Sequence, residues 1–490
     1  MHGMQLACHG FRKEGLKLPS DFGGVLENCQ LSGKPLRFAV CPDTEDDNMR
    51  VLVTGTSMFF AARLIQGFNE RGVSVTAADH HWWSVGKAIT PTKWLRTPSL
   101  SQNPAGYLSA LVQELKTRPY DLLLPTFEES LLLSEFRDAV EPLTNLLLSP
   151  FSVMWQLHHK PSLCRLCAQL GIPTPPTVTD LNPLHLEQQV RSLQFPVVLK
   201  LPNGNNSIGR EFCDTMPALV NRFHALYSRE ILRHAEPPFV QQKIEGQPIY
   251  TLMLCHEGRK LGEVIYRPLR SFPENGGTSS HRESIHHPRI AELTERLAAA
   301  TRWSGFLGLD FIADRADGTP YLIDANPRAN PAVQLGYLAG VDWTSLLLDI
   351  ERGVAPAPMT AQVGFRNRTP LLDALWVLDG LRPQQNWARN LFHRVRSVVK
   401  PDWNLDSGHD FVGRREWRCH LALGWQSFAA MGHSLLTGQA LGQSFTNGVN
   451  YDPVTVQSLR KAAGMPAGDP ARVAHAEKHG KQSSLGLESL

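Results

Sequence analysis

Two apolar runs around a short polar segment make the clearest pattern in the chain. Residues 306–313 and 321–325 flank 314–320, and Asp317-Gly318 supplies turn chemistry, so the pattern predicts a β-hairpin. Each run carries one acid where a core strand would prefer none, Asp310 and Asp324. If the register sets these two opposite each other, both carboxylates lie on one face of the sheet. Asn326, two residues on, then points the same way, and Arg328 follows if the extension persists past Pro327. Two carboxylates and an amide oxygen form a hard, oxygen-only cluster that suits Mg²⁺ bridging protein to nucleotide phosphates. Arg328 can bring charge to an anionic substrate or transition state. The alternative is a hairpin with two solvent-facing acids. Against it, both acids sit inside otherwise apolar strands, and buried acids need partners.

Upstream of the hairpin, the periodicity alternates between short strands and helices. A buried strand at 51–53, an amphipathic helix at 61–71 and a second strand at 73–78, closed by Asp79, form a β–α–β opening. The turn between them reads TGTSMFF and lacks the G-x-G-x-x-G spacing, which argues against a dinucleotide site. A helix over 107–115 and a strand over 122–125 follow. Thr126, Glu128 and Glu129 lie at that strand's carboxyl end, either facing a ligand or opening a helix. His158-His159-Lys160 opens a helix to Leu170, with Gly171 as its C-cap. A strand at 195–200 ends on Lys200, and the Gly/Asn/Ser loop 203–209 follows. That loop is either a hairpin turn or, with Lys200 beneath it, a wrap for phosphates. Residues 239–246 read as a short strand whose backbone can pair with an adenine edge while Ile244 packs on the ring. Strands at 249–256 and 262–267 lead into a polar stretch, 267–284, with Arg267, Arg270 and Arg282. We read this stretch as a substrate loop rather than a solvated turn. A helix at 291–301 precedes the hairpin.

Residues 1–48 lack periodicity and 466–490 are polar, so both are expected to be disordered. Helices are expected at 371–381, 387–399 and 417–436. They leave three readings of the C-terminal region: a packed domain, a homodimer surface or a substrate lid.

Composition narrows this picture. With 490 residues the chain holds about three domains. A net charge of +3 is too small to imply a nucleic-acid partner, and no apolar run is long enough to span a bilayer. Of the eight cysteines, only Cys164 and Cys167 are close in sequence, and they lie in a helical pattern. Two core thiols are the simpler reading, against a metal or redox site. The setting is expected to be reducing and cytoplasmic.

Seven stretches, in serial order, resemble the ATP-grasp superfamily of carboxylate–amine ligases. They are HK at 159–160, PVVLK at 196–200, NGNNSIG at 203–209, FVQQKIEG at 239–246, PENGGTSS at 273–280, LGLDFI at 307–312 and YLIDANPR at 321–328. The style is that of the carbamoyl-phosphate-synthetase-like and pyrrolysine-pathway-like branches, and the resemblance spans 50–350. It implies an α/β (α+β) chain: a pre-ATP-grasp Rossmann-like domain over 49–155, an ATP-grasp fold over 156–352 and a helical extension over 353–465.

The resemblance also implies roles. Lys160 and Lys200 would contact ATP phosphates, with Ser207 and Gly209 in the loop. Gln241, Gln242, Lys243 and Ile244 would form the adenine hinge. Asp310, Asp324 and Asn326 would hold Mg²⁺ or Mn²⁺. Arg328 would help stabilise the acyl-phosphate stage, and Arg282 would be a second catalytic cation. Two departures stand out: Asp324 replaces the usual Glu, and Gly246 is followed by Gln247-Pro248-Ile249 where a ribose-binding acid often stands, leaving Glu245 for that task. The implied activity is ATP-dependent joining of a carboxylate to an amine, releasing ADP. A non-catalytic ATP-binding scaffold and a carboxylase or carbamoyl-type enzyme are the alternatives. Retention of the charged set argues against the first, and no biotinyl or amidotransferase segment was recognised to favour the second.

Overall fold

The computed structural model describes residues 49–90, 92–204, 209–232, 235–272, 277–380, 387–399, 407–410, 417–438 and 444–462. The expectations for 1–48 and 466–490, and the one for Ser207, lie outside these residues.

The first layer is a parallel sheet. Its strands are β1 (Arg50–Thr54), β2 (Ser74–Asp79), β3 (Lys93–Arg96), β4 (Leu122–Pro125) and β5 (Asn145–Leu146), in the order β3-β2-β1-β4-β5. Val51, Leu52, Val53 and Leu122–Leu124 are buried, as near-continuous apolar strands covered on both faces must be. Helix α1 (Ala61–Asn69) lays its apolar side on this sheet, and α2 (Pro104–Thr117) follows β3, capped by Asn103 Oδ1 on Gly106 N. Gly55 turns the chain out of β1 with φ +67°, and a Cβ there would stand 2.5 Å from Glu129 Oε1. Glu129 opens α3 (Glu129–Glu135) and turns back, accepting from Thr54 Oγ1 and from the N–H groups of Thr126 and Phe127 at 2.9, 2.9 and 3.1 Å. Of its two expected roles, Glu129 therefore takes the helix-opening one, while Glu128 accepts from Tyr451 N at 2.9 Å.

Helix α4 (Phe151–His158) leads into α5 (Lys160–Leu170), where His159 Nδ1 accepts from Ser162 N as N-cap and Gly171, at φ +63°, closes the C-terminus. A small antiparallel sheet follows, ordered β6-β9-β7-β8 from β6 (Thr177–Val178), β7 (Val197–Lys200), β8 (Glu211–Cys213) and β9 (Phe239–Gln242). It has its own core, built on Leu199, Phe223 and Val240, with α6 (Met216–Leu232) across it.

The large sheet runs β14-β13-β10-β11-β12-β16-β17, with β15 beside β11. Its strands are β10 (Gly246–His256), β11 (Arg259–Phe272), β12 (Thr278–Ser284), β13 (Gly305–Asp314), β14 (Pro320–Asn326), β15 (Met359–Thr360), β16 (Arg366–Arg368) and β17 (Ser407–His409). Helix α7 (Pro288–Thr301) precedes the hairpin β13–β14, where Gly318 adopts φ +75° in the turn.

Two differences from the sequence reading concern polar strands. Most of the polar stretch read as a loop is strand, because its charges are paired along the sheet. Glu283 takes both Arg267 (2.7 Å) and Arg366 (2.8 Å), and Arg270 meets Asp373 at 2.9 Å. The C-terminal region contributes its three expected helices, α8 (Pro370–Asp379), α9 (Trp387–Val399) and α10 (Trp417–Thr437), but also a helix the sequence reading did not expect, α11 (Pro453–Ala462), and the three short strands β15–β17.

Candidate active site

The hairpin register sets Asp310 opposite Asp324 and Gly308 opposite Asn326. The next partners are Phe311 and Leu322, so Ile323 is an extra residue on β14: a bulge beside the acid pair. Tyr250 is opposite Asp310, and Tyr266 opposite Tyr250, so one row of the large sheet reads Asp324, Asp310, Tyr250, Tyr266. Burial pushes the Asp310 carboxyl up, and the facing Asp324 pushes it further. A close acid pair in this state calls for a cation. With the amide of Asn326 beside it, the donor set is all oxygen and fits Mg²⁺ or Mn²⁺.

Three cations converge on these acids. Lys160, at the first turn of α5, places Nζ 3.2 Å from Asp324 Oδ1 and 2.8 Å from Gly204 O. Lys200, the last residue of β7, donates to Gln241 Oε1 at 2.6 Å and reaches the carbonyl of the bulged Ile323 at 3.5 Å. Burial brings its ammonium down to about 8, against the pull of Asp324. Arg328 is buried, donates to Asn326 Oδ1 at 3.1 Å and stacks over Phe127 at 4.3 Å. Its guanidinium is likewise lowered by burial, with Glu128 and Asp310 opposing.

The expected hinge residues form a lip above Lys200. Gln241 Nε2 donates to Thr177 Oγ1 at 2.9 Å, which turns its Oε1 toward Lys200. Gln242 N donates to Pro176 O and Lys243 N to Pro196 O, at 2.8 and 3.1 Å. The Ile244 side chain is buried, and the Lys243 side chain is ion-paired with Glu245. Gly209 closes the described part of the loop at φ +67°, with Leu201 2.4 Å from where a Cβ would stand.

Arg282 sits elsewhere in the sheet. It is fully buried, with Nη1 on Asn367 Oδ1 (2.8 Å), Asp410 Oδ1 (3.3 Å) and Pro331 O, and Nη2 on Ser279 O (2.6 Å) and Thr369 Oγ1 (2.7 Å). Both Nη atoms thus have protein acceptors that tie β12 to β16 and to the segment after β14.

Sequence reading missed Arg210 and Tyr250. Burial lowers the Arg210 guanidinium, and Tyr250, Asp324 and Asp310 pull it back, which places it among the acid row. Its position directly after the Gly/Asn loop was the available signal.

No family model and no curated protein sequence matches the chain. Solved structures do. The Campylobacter jejuni biotin carboxylase complex with β,γ-ATP aligns over 66% of this chain and 75% of its own, with TM-score 0.55 and 14% identity. The biotin carboxylase domain dimer of Hydrogenobacter thermophilus 2-oxoglutarate carboxylase, in complex with MgADP, ADP and bicarbonate, aligns over 65% and 73%, with TM-score 0.54 and 16% identity. Phosphoribosylamine–glycine ligase of Thermotoga maritima aligns over 65% and 78%, with TM-score 0.50 and 15% identity. On these likenesses the chain has the fold of the ATP-grasp superfamily.

Proposed function

We propose that the protein is an ATP-dependent, ADP-forming carboxylate–amine ligase. The observation that carries this reading is the acid pair Asp310–Asp324 set in register and enclosed by Lys160, Lys200 and Arg328. Asp310, Asp324 and Asn326 would hold Mg²⁺, or Mn²⁺, which supplies charge neutralisation to the nucleotide phosphates. Lys160 and Lys200 hold the phosphates from the other side, with Gly209 at the end of the loop and Ser207 within it. Gln241 to Ile244 offer the strand against which the adenine lies.

A carboxylate oxygen attacks the γ-phosphorus, the bond to the ADP oxygen breaks, and an acyl phosphate forms. The amine then attacks the acyl carbon, phosphate leaves with the former carboxylate oxygen, and the amine loses a proton. The chain's own contribution is alignment and charge. Arg328 faces the anion at the transfer point. Arg282 supports Arg328 from a distance, its Nη1 holding the Pro331 carbonyl in the segment that follows β14. The five described cysteines are all free thiols, which supports a reducing, cytoplasmic setting. Among the described residues, no helix is long and apolar enough to cross a membrane. The test is ADP release in the presence of pooled carboxylates and amines. ADP that depends on one member of each pool supports a ligase, and nucleotide binding without such turnover supports a scaffold.

We also infer a homodimer. Trp417, Leu421, Trp425, Phe428 and Leu435 form an exposed stripe at heptad-like spacing along α10, and each is at least 45% exposed. With Met431 and Leu436 the stripe offers on the order of 1,000 Å² of apolar side-chain surface, more than a monomer ordinarily leaves bare and enough for one side of a standard interface. A two-fold pairing of α10 with its copy satisfies both stripes at once. Light scattering should give twice the chain mass, and Phe428→Glu with Leu435→Glu should halve it. A monomeric wild type would overturn the pairing and leave another partner for the stripe.

A further inference from the structure

Away from the acid row, β2 ends on Asp79-His80-His81. The Asp79 side chain has no exposed surface. Its Oδ2 accepts from Ser57 N at 2.5 Å, and its Oδ1 lies 3.1 Å from Nδ1 of both His80 and His81. Burial pushes this carboxyl up, but the hydrogen bonds from His80 and His81 prevail and hold it far below the ordinary carboxylate range. Among the described residues, no other group of three His, Cys, Asp or Glu brings one donor atom each within 4.8 Å.

The two imidazoles line an open cavity of about 230 Å³ at the carboxyl edge of the parallel sheet, where α/β folds present ligands. The opposite wall is α10 and the segment after it, with Gln426, His433, Ser444 and Asn447. His433 is oriented at both ring nitrogens, by Ser444 Oγ at 3.2 Å and Asn447 Nδ2 at 3.3 Å. Gly448, at φ +95°, packs on His80 so closely that a Cβ would lie 2.4 Å from its Nε2. Gln426 is buried, and its Oε1 is without a hydrogen-bond partner.

We propose that Asp79, His80 and His81 bind a divalent transition-metal ion of the zinc class, with an open coordination position facing this cavity. Ligand chemistry selects the ion: imidazole nitrogens with one carboxylate suit zinc-class metals, whereas the oxygen-only set on β13 and β14 suits Mg²⁺. Geometry agrees. Tetrahedral bonds of about 2.0–2.1 Å set ligand atoms about 3.3 Å apart, close to the two oxygen–nitrogen separations found here. The ion takes the place of the two Nδ1 protons that otherwise share Asp79 Oδ1, and that oxygen keeps its contact with His81 N at 3.0 Å. Gln426, whose Oε1 lacks a hydrogen-bond partner, lines the same cavity.

The test uses the full chain without an affinity tag, stripped with chelator and dialysed. Titration with Co²⁺ should give the visible absorption of a low-coordinate ion at one equivalent, and Zn²⁺ should displace it. His81→Ala should weaken Zn²⁺ binding by about ten-fold or more while the protein melts as wild type, since that side chain is 30% exposed. Cys164→Ser with Cys167→Ser should leave the binding unchanged. Absence of a Co²⁺ spectrum, equal affinity in His81→Ala, or loss of binding only in the cysteine variant would overturn the site.

Discussion

Lys200 is a charge that the free protein holds at a cost. Its ammonium titrates at about 8 instead of 10.5 because it is buried, and Asp324 only partly offsets this. That depression corresponds to roughly 3 kcal/mol. The folded pKa is lowered, so the unfolded chain binds the extra proton between about 8 and 10.5. The cost is therefore full below pH 8 and is relieved as pH rises through that window. Nucleotide phosphates supply the missing anion, so ATP binding should draw a proton onto Lys200, and affinity should fall as pH rises above 8.

Lys200→Met removes the buried charge but leaves Gln241 Oε1 without its donor, worth about 1–3 kcal/mol, so the two effects nearly cancel in the melting temperature. Loss of a charged hydrogen bond of about 1.5–3 kcal/mol should weaken Mg-ATP binding by roughly 10- to 150-fold. Calorimetry near pH 8 in two buffers of different ionisation enthalpy reads the proton directly. Wild type should show uptake and Lys200→Met much less. Equal uptake in both, or unchanged affinity, would refute the reasoning and leave Lys160 as the phosphate anchor.

Asp324→Asn should abolish turnover yet change the stability of the metal-free protein little, because relief of the charge facing Asp310 is offset by loss of the Lys160 ion pair and of the pull on Lys200; calorimetric melting with an ADP assay separates the two. Arg282→Met should unfold the protein more readily, by about 3–5 kcal/mol, because it strands Asp410 and Asn367, whereas Arg328→Met should lose turnover with a smaller loss of stability in urea titration. Glu129→Ala should cost about 2–4 kcal/mol, since it leaves Thr54 Oγ1 and two N–H groups without their acceptor; chemical denaturation measures it.

The parts of the fold legible in the sequence are those where one element explains its own pattern. The β13–β14 hairpin was readable because its turn chemistry and its two misplaced acids coincide; its register, which the pattern left conditional, places Asp310 opposite Asp324. Lys160 and Lys200 were readable from their positions at an element's start and end, but their shared focus on Asp324 required three elements to meet. The bulge at Ile323, which turns a carbonyl toward Lys200, leaves no mark in composition. Strands β12 and β16 escaped notice because polarity reads as loop when the pairing partner is 83 residues away, as Arg366 is from Glu283. Arg282 read as a cation of a substrate loop for the same reason, although the structure places it on a strand and surrounds it with acceptors from Ser279 to Asp410.

The central claim is that a carboxylate oxygen attacks the γ-phosphorus of ATP beside Asp310 and Asp324. Turnover with a carboxylate labelled with ¹⁸O on both oxygens, once the screen has named the pair of substrates, tests this most directly by mass spectrometry of the phosphate released. The account predicts one ¹⁸O in the phosphate for every ADP formed, and none without the amine-dependent product. Unlabelled phosphate would mean that water attacks the nucleotide, and AMP with pyrophosphate would mean adenylate chemistry; either would contradict it.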